Sequence, residues 1–225
     1  MIIRMIVQSL AWFGLMAILL FGAAGTLDWP GAWAFLALML AMSAIAGGTL
    51  ARHDPGLLAE RLRSPVQKGQ PFADKLLLSL LLLGMLAWMA FMGLDAVRFR
   101  WSHVPAWVQM LGGLVILLSV WMIYRTMRAN SFAAPVVKIQ QERGQTVIDT
   151  GPYALVRHPM YVGALLYFAG QALLLGSWWG LAMVPLFAVL LMIRIGIEER
   201  TLRAALPGYD AYAARVRYRL IPLLW

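Results

Sequence analysis

The chain has 225 residues, of which 62% are hydrophobic and only 13% are charged, with a formal net charge of +9 and no cysteine. An average soluble domain has about 45–50% apolar and about 25% charged residues, so a chain this apolar is predicted to be an integral membrane protein. The lack of cysteine excludes disulfides, cysteine metal sites and thiol catalysis.

In chain order, six apolar segments are candidates for membrane-crossing helices. They span residues 2–24, 32–50, 76–94, 105–124, 160–175 and 177–195. A helix needs about 20 residues to cross the hydrocarbon core, and the first four segments meet that length. The fifth is shorter and joins the sixth at Gly176, so we expect a short hairpin, kinked at Pro185, that crosses obliquely or incompletely. The prediction is an all-α polytopic membrane protein with about six transmembrane segments.

Basic residues are divided unevenly between the two sides of this topology. Of the 19 Lys and Arg residues, 17 fall on one side, and only Arg98 and Arg100 fall on the other. Excess Lys and Arg mark the cytoplasmic side, so both termini are predicted to be cytoplasmic. Because the basic residues are spread among loops rather than along one surface, nucleic-acid binding is not expected. Tryptophans, which favour the headgroup level, gather at the opposite boundary: Trp29, Trp33, Trp101, Trp107, Trp178 and Trp179.

An alternative interpretation makes residues 1–24 a cleavable signal peptide, with Arg4 as its charged start and small residues at 22–24 as its cleavage site. The apolar run is longer than a typical signal core, and six segments close the topology when it is retained. We therefore expect the segment to be retained.

The longest polar stretch, residues 130–158, lies on the predicted cytoplasmic side between the fourth and fifth segments. Apolar residues at 137, 139, 147 and 148 alternate with polar ones, which predicts short extended pieces around a turn at 143–144. Gly151-Pro152 predicts a second turn, and Pro159 suits the first turn of the next helix. Loops of about 30 residues are uncommon unless they bind something, so we expect a binding loop here.

A second polar stretch, residues 194–219, follows the last apolar run. Arg194 and Glu198 are four apart and share a helix face, at a depth where charges are costly unless paired or used. Glu199 and Arg203 are expected to form an ordinary interfacial salt bridge. Apolar residues then recur at helical spacing among arginines, which predicts an amphipathic helix on the membrane surface: Leu202, Leu206, Tyr209, Tyr212 and Val216.

Several motifs in these stretches occur in a fixed order. They are Asn-x-Phe at 130–132, Gly-Pro-Tyr at 151–153, Arg-His-Pro-Met-Tyr-Val-Gly at 157–163, a short hairpin, Glu-Glu at 198–199 and Tyr-x-x-Tyr at 209–212. The arrangement resembles the isoprenylcysteine carboxyl methyltransferase family, which is related to membrane phospholipid N-methyltransferases. The resemblance covers about residues 130–222. Because no internal repeat or low-complexity linker divides the chain, we expect a single membrane domain, 1–225, with N-terminal transmembrane helices in residues 1–125. The resemblance implies that residues 126–225 form the cofactor-binding catalytic core.

The resemblance also implies roles for particular residues toward S-adenosyl-L-methionine, whose product is S-adenosyl-L-homocysteine. Arg194 matches the position that faces the methyl-accepting group, with Asn130 beside the substrate and His158 as the second catalytic residue. No metal is expected, because His53 and His103 lie far from His158 in this topology. The implied cofactor cradle comprises Gln140, Gln145, Thr146, Val147, Ile148, Tyr153, Arg157, His158, Pro159, Met160, Tyr161 and Glu198.

These residue types suit the chemistry of the donor. A helix start with free N–H groups beside Arg157 and His158 suits a carboxylate, and Glu198 suits an ammonium or ribose hydroxyls. Tyr153 and the apolar pair at 147–148 offer a wall for the purine. A sulfonium is already an activated leaving group, so the protein mainly aligns the acceptor and excludes water. Arg194 would hold a carboxylate acceptor, whereas an amine or thiol acceptor would need His158 or Glu198 as base.

The expected function is methyl transfer to a lipophilic or amphipathic acceptor, such as a prenylcysteine-like carboxylate, at the cytoplasmic face of a prokaryotic inner membrane. The expected partners are membrane lipids and that lipophilic or lipidated substrate. Two alternatives stay open. One is an NADPH-dependent membrane reductase of the sterol-reductase type. The Arg-His-Pro motif and the small number of segments argue against it. The other is a non-enzymatic transporter or scaffold. The scarcity of charged residues within the apolar segments argues against it.

Overall fold

The computed structural model describes all 225 residues, and all of its regular secondary structure is helical, with no β-strand. Five stretches are long and apolar enough to cross a membrane: Ile2–Ala24, Pro30–His53, Phe72–Arg98, Ala106–Ala129 and Trp178–Ala205. The α-helices in chain order are α1 (Ile2–Ala24), α2 (Pro30–His53), α3 (Pro55–Arg61), α4 (Phe72–Gly93), α5 (Ala106–Ala129), α6 (Pro159–Leu174), α7 (Trp178–Ala182), α8 (Val184–Ala205) and α9 (Tyr209–Arg215).

The predicted apolar segments correspond closely to these helices. The first coincides with α1, and the fifth and sixth form the predicted hairpin of α6 with α7 and α8, turning at Gly176, whose φ is 80°. The sixth segment divides at Met183, because Pro185 in the first turn of α8 has no N–H with which to continue α7. Helix α6 has 16 residues and rises about 24 Å, less than the roughly 30 Å hydrocarbon core.

The centre of the bundle is formed by α1, α2, α4, α5 and α6, and its largest buried side chains include Phe35, Trp88 and Ile116. Large apolar side chains also cover the outside of the helices, as at Leu83, which is 63% exposed. Such a surface fits lipid rather than water. Of the tryptophans predicted to lie at one membrane boundary, Trp29 differs, because it is buried against Phe21 in the core.

Helices α5 and α6 approach each other closely because small residues line their contact. A Cβ atom at Gly112 would lie 2.5 Å from the backbone nitrogen of Leu174, and one at Gly170 would lie 2.8 Å from the Gly112 carbonyl oxygen. The Ser119 hydroxyl donates to the Gly163 carbonyl across the same contact, over 2.7 Å. Small residues and interhelical hydrogen bonds of this kind are the usual means of helix association in membranes.

The polar loop 130–158 contains the predicted turns, and its segments on either side of them form no β-strand. A 3₁₀ turn at Gln141–Arg143 ends at Gly144, whose φ is 60°, and a second 3₁₀ turn spans Gly151–Ala154. Side chains take the place of a partner strand. The Gln140 amide donates to Phe132 O over 2.8 Å, and the Gln140 backbone N–H donates to the Gln145 side chain over 2.7 Å. Local side-chain bonds of this kind compete with strand pairing.

The C-terminal part of the chain corrects one expectation. The apolar face after α8 does not lie on the membrane surface, because it is buried against the polar loop, where Ile139 and Val147 cover it. An apolar stripe needs an apolar cover, and here the loop provides it in place of lipid. The buried residues on this face are Leu206, Tyr209, Tyr212, Ala213 and Val216.

Candidate functional site

A cavity of about 410 Å³ lies where the polar loop meets α4, α6 and α8, at the end of the bundle that carries most of the basic residues. Its size falls in the range of small-molecule sites. The cavity has two chemically different ends. The polar end is lined by Asn130, Tyr153, His158, Tyr161 and Glu198. The apolar end, deeper between the helices, is lined by Leu78, Leu81, Leu82, Met85, Phe168 and Leu191.

Most of the residues predicted from the sequence line this cavity. Gln140 and Pro159 do not: Gln140 is fully buried and bonds within the loop, and Pro159 begins α6. The two stretches that the sequence singled out therefore meet at one place. The predicted residues that line it are Asn130, Gln145, Thr146, Val147, Ile148, Tyr153, Arg157, His158, Met160, Tyr161, Arg194 and Glu198.

Glu198 meets the motif at the start of α6. The Tyr161 hydroxyl donates to Glu198 Oε2 over 2.6 Å, and His158 Nδ1 lies 3.8 Å from the same oxygen. The His158 ring stacks on the Tyr161 ring, with centroids 5.6 Å apart. This contact joins the two ends of the hairpin in a single wall of the cavity.

Arg194 shares the cavity-facing side of α8 with Glu198, but its ion-pair partner is Asp74 at the start of α4. Arg194 Nε donates to Asp74 Oδ1 over 2.9 Å, and Arg194 Nη2 donates to the Pro135 carbonyl over 2.6 Å. Asp74 is fully buried and also accepts from the Val137 backbone N–H over 3.0 Å. Sequence reasoning missed Asp74, although a lone carboxylate beside an apolar segment was a signal for it.

Arg157 and the start of α6 have other partners than expected. Arg157 Nε donates to Glu199 Oε1 over 2.7 Å, and Arg157 Nη1 donates to two backbone carbonyls of residues 216–217. The backbone N–H groups of Arg157 and His158 donate to Tyr218 O and Arg219 O, each over 2.9 Å. The Arg157 guanidinium and the backbone amides of Arg157 and His158 are therefore occupied by the chain itself.

Glu199 is the centre of this second set of bonds. It accepts from Arg157 and from Arg219, whose Nη2 lies 3.1 Å from Oε2, and His158 Nε2 lies 3.3 Å from Oε1. The predicted Glu199–Arg203 salt bridge is wrong, because Arg203 pairs with Asp210. The Glu199 side chain instead points to the C-terminal segment, where it is buried and accepts hydrogen bonds from Arg157 and Arg219.

Tyr153 forms the floor of the polar end. Its hydroxyl accepts from the Asn130 side-chain amide over 3.0 Å, and its carbonyl accepts from the Tyr212 hydroxyl over 2.9 Å. Burial raises the pKa of Tyr153 to about 12, with Glu198 adding to the rise and Asn130 and Arg61 opposing it. The phenol is therefore protonated at neutral pH and presents a flat, uncharged ring.

Several cavity residues from the N-terminal half were not predicted. Arg61, the last residue of α3, lines the cavity and donates through Nη1 to Ala133 O over 2.9 Å. The leucines of α4 line the apolar end. The sequence showed these residues only as part of a basic loop and of an apolar helix. Neither pattern identifies a side chain that reaches a site formed by a distant part of the chain.

One family model and one characterised relative match parts of this chain. The sequence model of a family described as phospholipid methyltransferase matches residues 107–207, which include the polar loop, α6 and α8. A protein of Cupriavidus metallidurans, described as cobalt-zinc-cadmium resistance protein CzcN, is 36% identical over 78 residues. That match covers 34% of this chain and 36% of the relative, so about a third of each is compared. In this chain no group of three or more His, Asp or Glu side chains is placed to hold a metal ion.

Proposed function

We propose that this chain is a membrane methyltransferase of the phospholipid methyltransferase type, whose family model matches residues 107–207, and that it takes its methyl group from S-adenosylmethionine. The acceptor is an amphipathic or lipophilic molecule whose reacting group enters the polar end of the cavity. When bound, the donor supplies a methyl group on an activated sulfonium. The chain's own part is to bind, to orient and to exclude water.

The observation that carries this proposal is the two-ended cavity. Its polar end offers an uncharged aromatic ring at Tyr153, an apolar pair at Val147 and Ile148, and a carboxylate at Glu198. These suit the purine and the ammonium of the donor. The apolar end, lined by α4, α6 and α8, suits the tail of an acceptor drawn from the bilayer.

Arg194 is proposed to orient the acceptor between the two ends. Two of its nitrogens are held by Asp74 and Pro135, while Nη1 makes no hydrogen bond within the protein. A guanidinium fixed in this way has limited freedom and presents a donor to a carboxylate oxygen of the acceptor. A prenylcysteine-like carboxylate remains the best example of such an acceptor.

The site is proposed to face the cytoplasm, in the inner membrane of a prokaryote. The support is that 17 of the 19 Lys and Arg residues lie at the end of the bundle that contains the cavity. With this orientation both termini are cytoplasmic.

The first test is binding. Calorimetry on the purified full chain in detergent is expected to show binding of S-adenosylhomocysteine, with affinity lowered about 10- to 100-fold by Glu198→Gln. Glu142→Gln, at an exposed loop position, is the matched control. A folded protein that binds neither S-adenosylmethionine nor S-adenosylhomocysteine, but does bind NADPH in a nicotinamide-fluorescence titration, would exclude the proposal in favour of a reductase.

The second test identifies the acceptor. Membrane lipids incubated with the protein and an isotopically labelled methyl donor are expected to yield a labelled amphipathic product by mass spectrometry. Arg194→Lys, which keeps a cation beside Asp74, is expected to reduce that turnover more than it reduces donor affinity. Equal loss of both would contradict the acceptor role of Arg194.

A further inference from the structure

The basic side chains that line the cavity differ in whether an acidic side chain neutralises them. Three of the four are in ion pairs within 3 Å: Lys138 with Glu60 at 2.7 Å, Arg157 with Glu199 at 2.7 Å and Arg194 with Asp74 at 2.9 Å. The fourth, Arg61, has no acidic partner within 4 Å. Arg61 is therefore the one guanidinium of the cavity wall whose charge the protein leaves uncompensated.

The contacts of Arg61 leave part of its guanidinium available. Nη1 donates to Ala133 O over 2.9 Å and lies 3.9 Å from the Met160 sulfur, whereas Nε and Nη2 make no hydrogen bond within the protein. Burial lowers the pKa of Arg61, and the nearby Tyr153 only partly opposes this. A buried cation without an anion is costly, and a ligand that brings an anion would remove that cost.

The cavity wall also contains a carboxylate that is not paired with a Lys or Arg side chain. Glu198 is the single acidic residue among those that line it, and no Lys or Arg lies within 4 Å of its carboxylate. Two observations place Arg61 and Glu198 near each other. Tyr153 lies within electrostatic range of both. Arg61 also contacts Met160, and the next residue, Tyr161, donates a hydrogen bond to Glu198. The polar end thus holds one guanidinium without an acidic partner and one carboxylate without a Lys or Arg partner, the latter bonded by Tyr161 and 3.8 Å from His158 Nδ1.

We propose that Arg61 binds the carboxylate of the methyl donor, while Glu198 faces the ammonium of the same amino-acid group. This inference rests on the proposed function. It assigns the carboxylate to α3, in the half of the chain to which the family resemblance gives no motif, in place of Arg157, which Glu199 and two backbone carbonyls occupy. The free Nε and Nη2 of Arg61 are suited to the two-pronged contact that guanidinium groups make with carboxylates.

The test compares two ligands on the unmodified full chain in detergent. S-adenosylhomocysteine carries the carboxylate, and its decarboxylated analogue, S-adenosyl-3-thiopropylamine, differs from it by that group alone. Calorimetry is expected to show the analogue binding about 10- to 100-fold more weakly. Equal affinities would overturn the assignment of a carboxylate contact. Failure to bind either ligand would instead contradict the proposed function.

A substitution then locates the contact. Arg61→Gln is expected to lower the affinity for S-adenosylhomocysteine by the same factor and to leave that for the analogue unchanged, because the two changes remove one interaction. Arg63→Gln, two residues away and more than half exposed, is the control and should change neither affinity. A folded Arg61→Gln protein that still prefers S-adenosylhomocysteine would overturn the proposal. If Arg61→Gln does not fold, Arg61→Lys replaces it, with a reduced preference expected and a fully retained one overturning the proposal.

Discussion

Asp74 and Arg194 form a buried ion pair that joins the start of α4 to the middle of α8, with 2.9 Å between Arg194 Nε and Asp74 Oδ1. The two residues are 120 positions apart in the chain. Their contact connects the N-terminal helices to the part of the chain that the family model matches. It also fixes one wall of the cavity.

Asp74→Ala is therefore expected to destabilise the protein by about 3–5 kcal/mol, because it leaves Arg194 charged, buried and unpaired. The measurement is thermal or denaturant unfolding of the purified protein in detergent. The double variant Asp74→Leu with Arg194→Met should be more stable than Asp74→Ala, since it removes both charges together. A double variant that is no more stable than Asp74→Ala would show that the two residues are not coupled.

Glu198 and Glu199 are neighbours, yet their substitution is expected to have opposite consequences. Glu199→Gln should lower the free energy of unfolding by about 2–4 kcal/mol, because Arg157 and Arg219 lose their anion. Glu198→Gln should mainly lower affinity for S-adenosylhomocysteine. Arg203→Ala is the control, since its exposed pair with Asp210 should contribute within about 1 kcal/mol. Similar stability losses for both glutamate variants would contradict this division.

The apolar end of the cavity can be filled without touching the polar end. Leu82→Trp should block the acceptor tail and abolish methyl transfer, while affinity for S-adenosylhomocysteine stays within about threefold. Leu83→Trp is the matched control, because Leu83 is the next residue of α4 and is 63% exposed on the outer surface. Loss of donor binding in Leu82→Trp, in a protein that still folds, would mean that the two ends are not separate sites.

Gly112 and Gly113 are adjacent in α5 but face different surroundings. A Cβ at Gly112 would lie 2.5 Å from Leu174 N and 2.8 Å from Gly170 O, both backbone atoms of α6, whereas at Gly113 the nearest atom is 3.9 Å away. Gly112→Ala should thus cost about 1–3 kcal/mol through overpacking. Gly113→Ala should be neutral or stabilise by about 0.5–1 kcal/mol, because glycine is unfavourable within helices. Equal unfolding temperatures for the two variants would contradict the tight packing of α5 on α6.

Much of the fold could be predicted because lipid imposes a simple rule on sequence. An apolar run of sufficient length must be helical, so α1 and the other spanning helices followed from length and hydropathy alone. The turns at Gly144 and Gly151 were also predictable, since both require a positive φ that glycine adopts without strain.

The pairing of charges could not be predicted in the same way. Helical spacing correctly placed Arg194 and Glu198 on one face of α8, but it could not show that Asp74 would be the partner of Arg194. Helical spacing also could not show whether lipid or protein covers the apolar face of a helix. The residues of α9 have the period expected for a surface helix on lipid, and only the folded loop reveals that Val147 covers them instead.

The hydrogen bonds from Arg157 and His158 to the carbonyls of Tyr218 and Arg219 have a consequence for biosynthesis. The ribosome synthesises Arg157 and His158, at the start of α6, some sixty residues before Tyr218 and Arg219, whose carbonyls accept their hydrogen bonds. Until Arg219 has been synthesised, the amides of Arg157 and His158 lack their acceptors, and Glu199 lacks one of its two arginine donors. The membrane helices can therefore insert first, while the end of the bundle that contains the cavity becomes complete only after translation of this late segment.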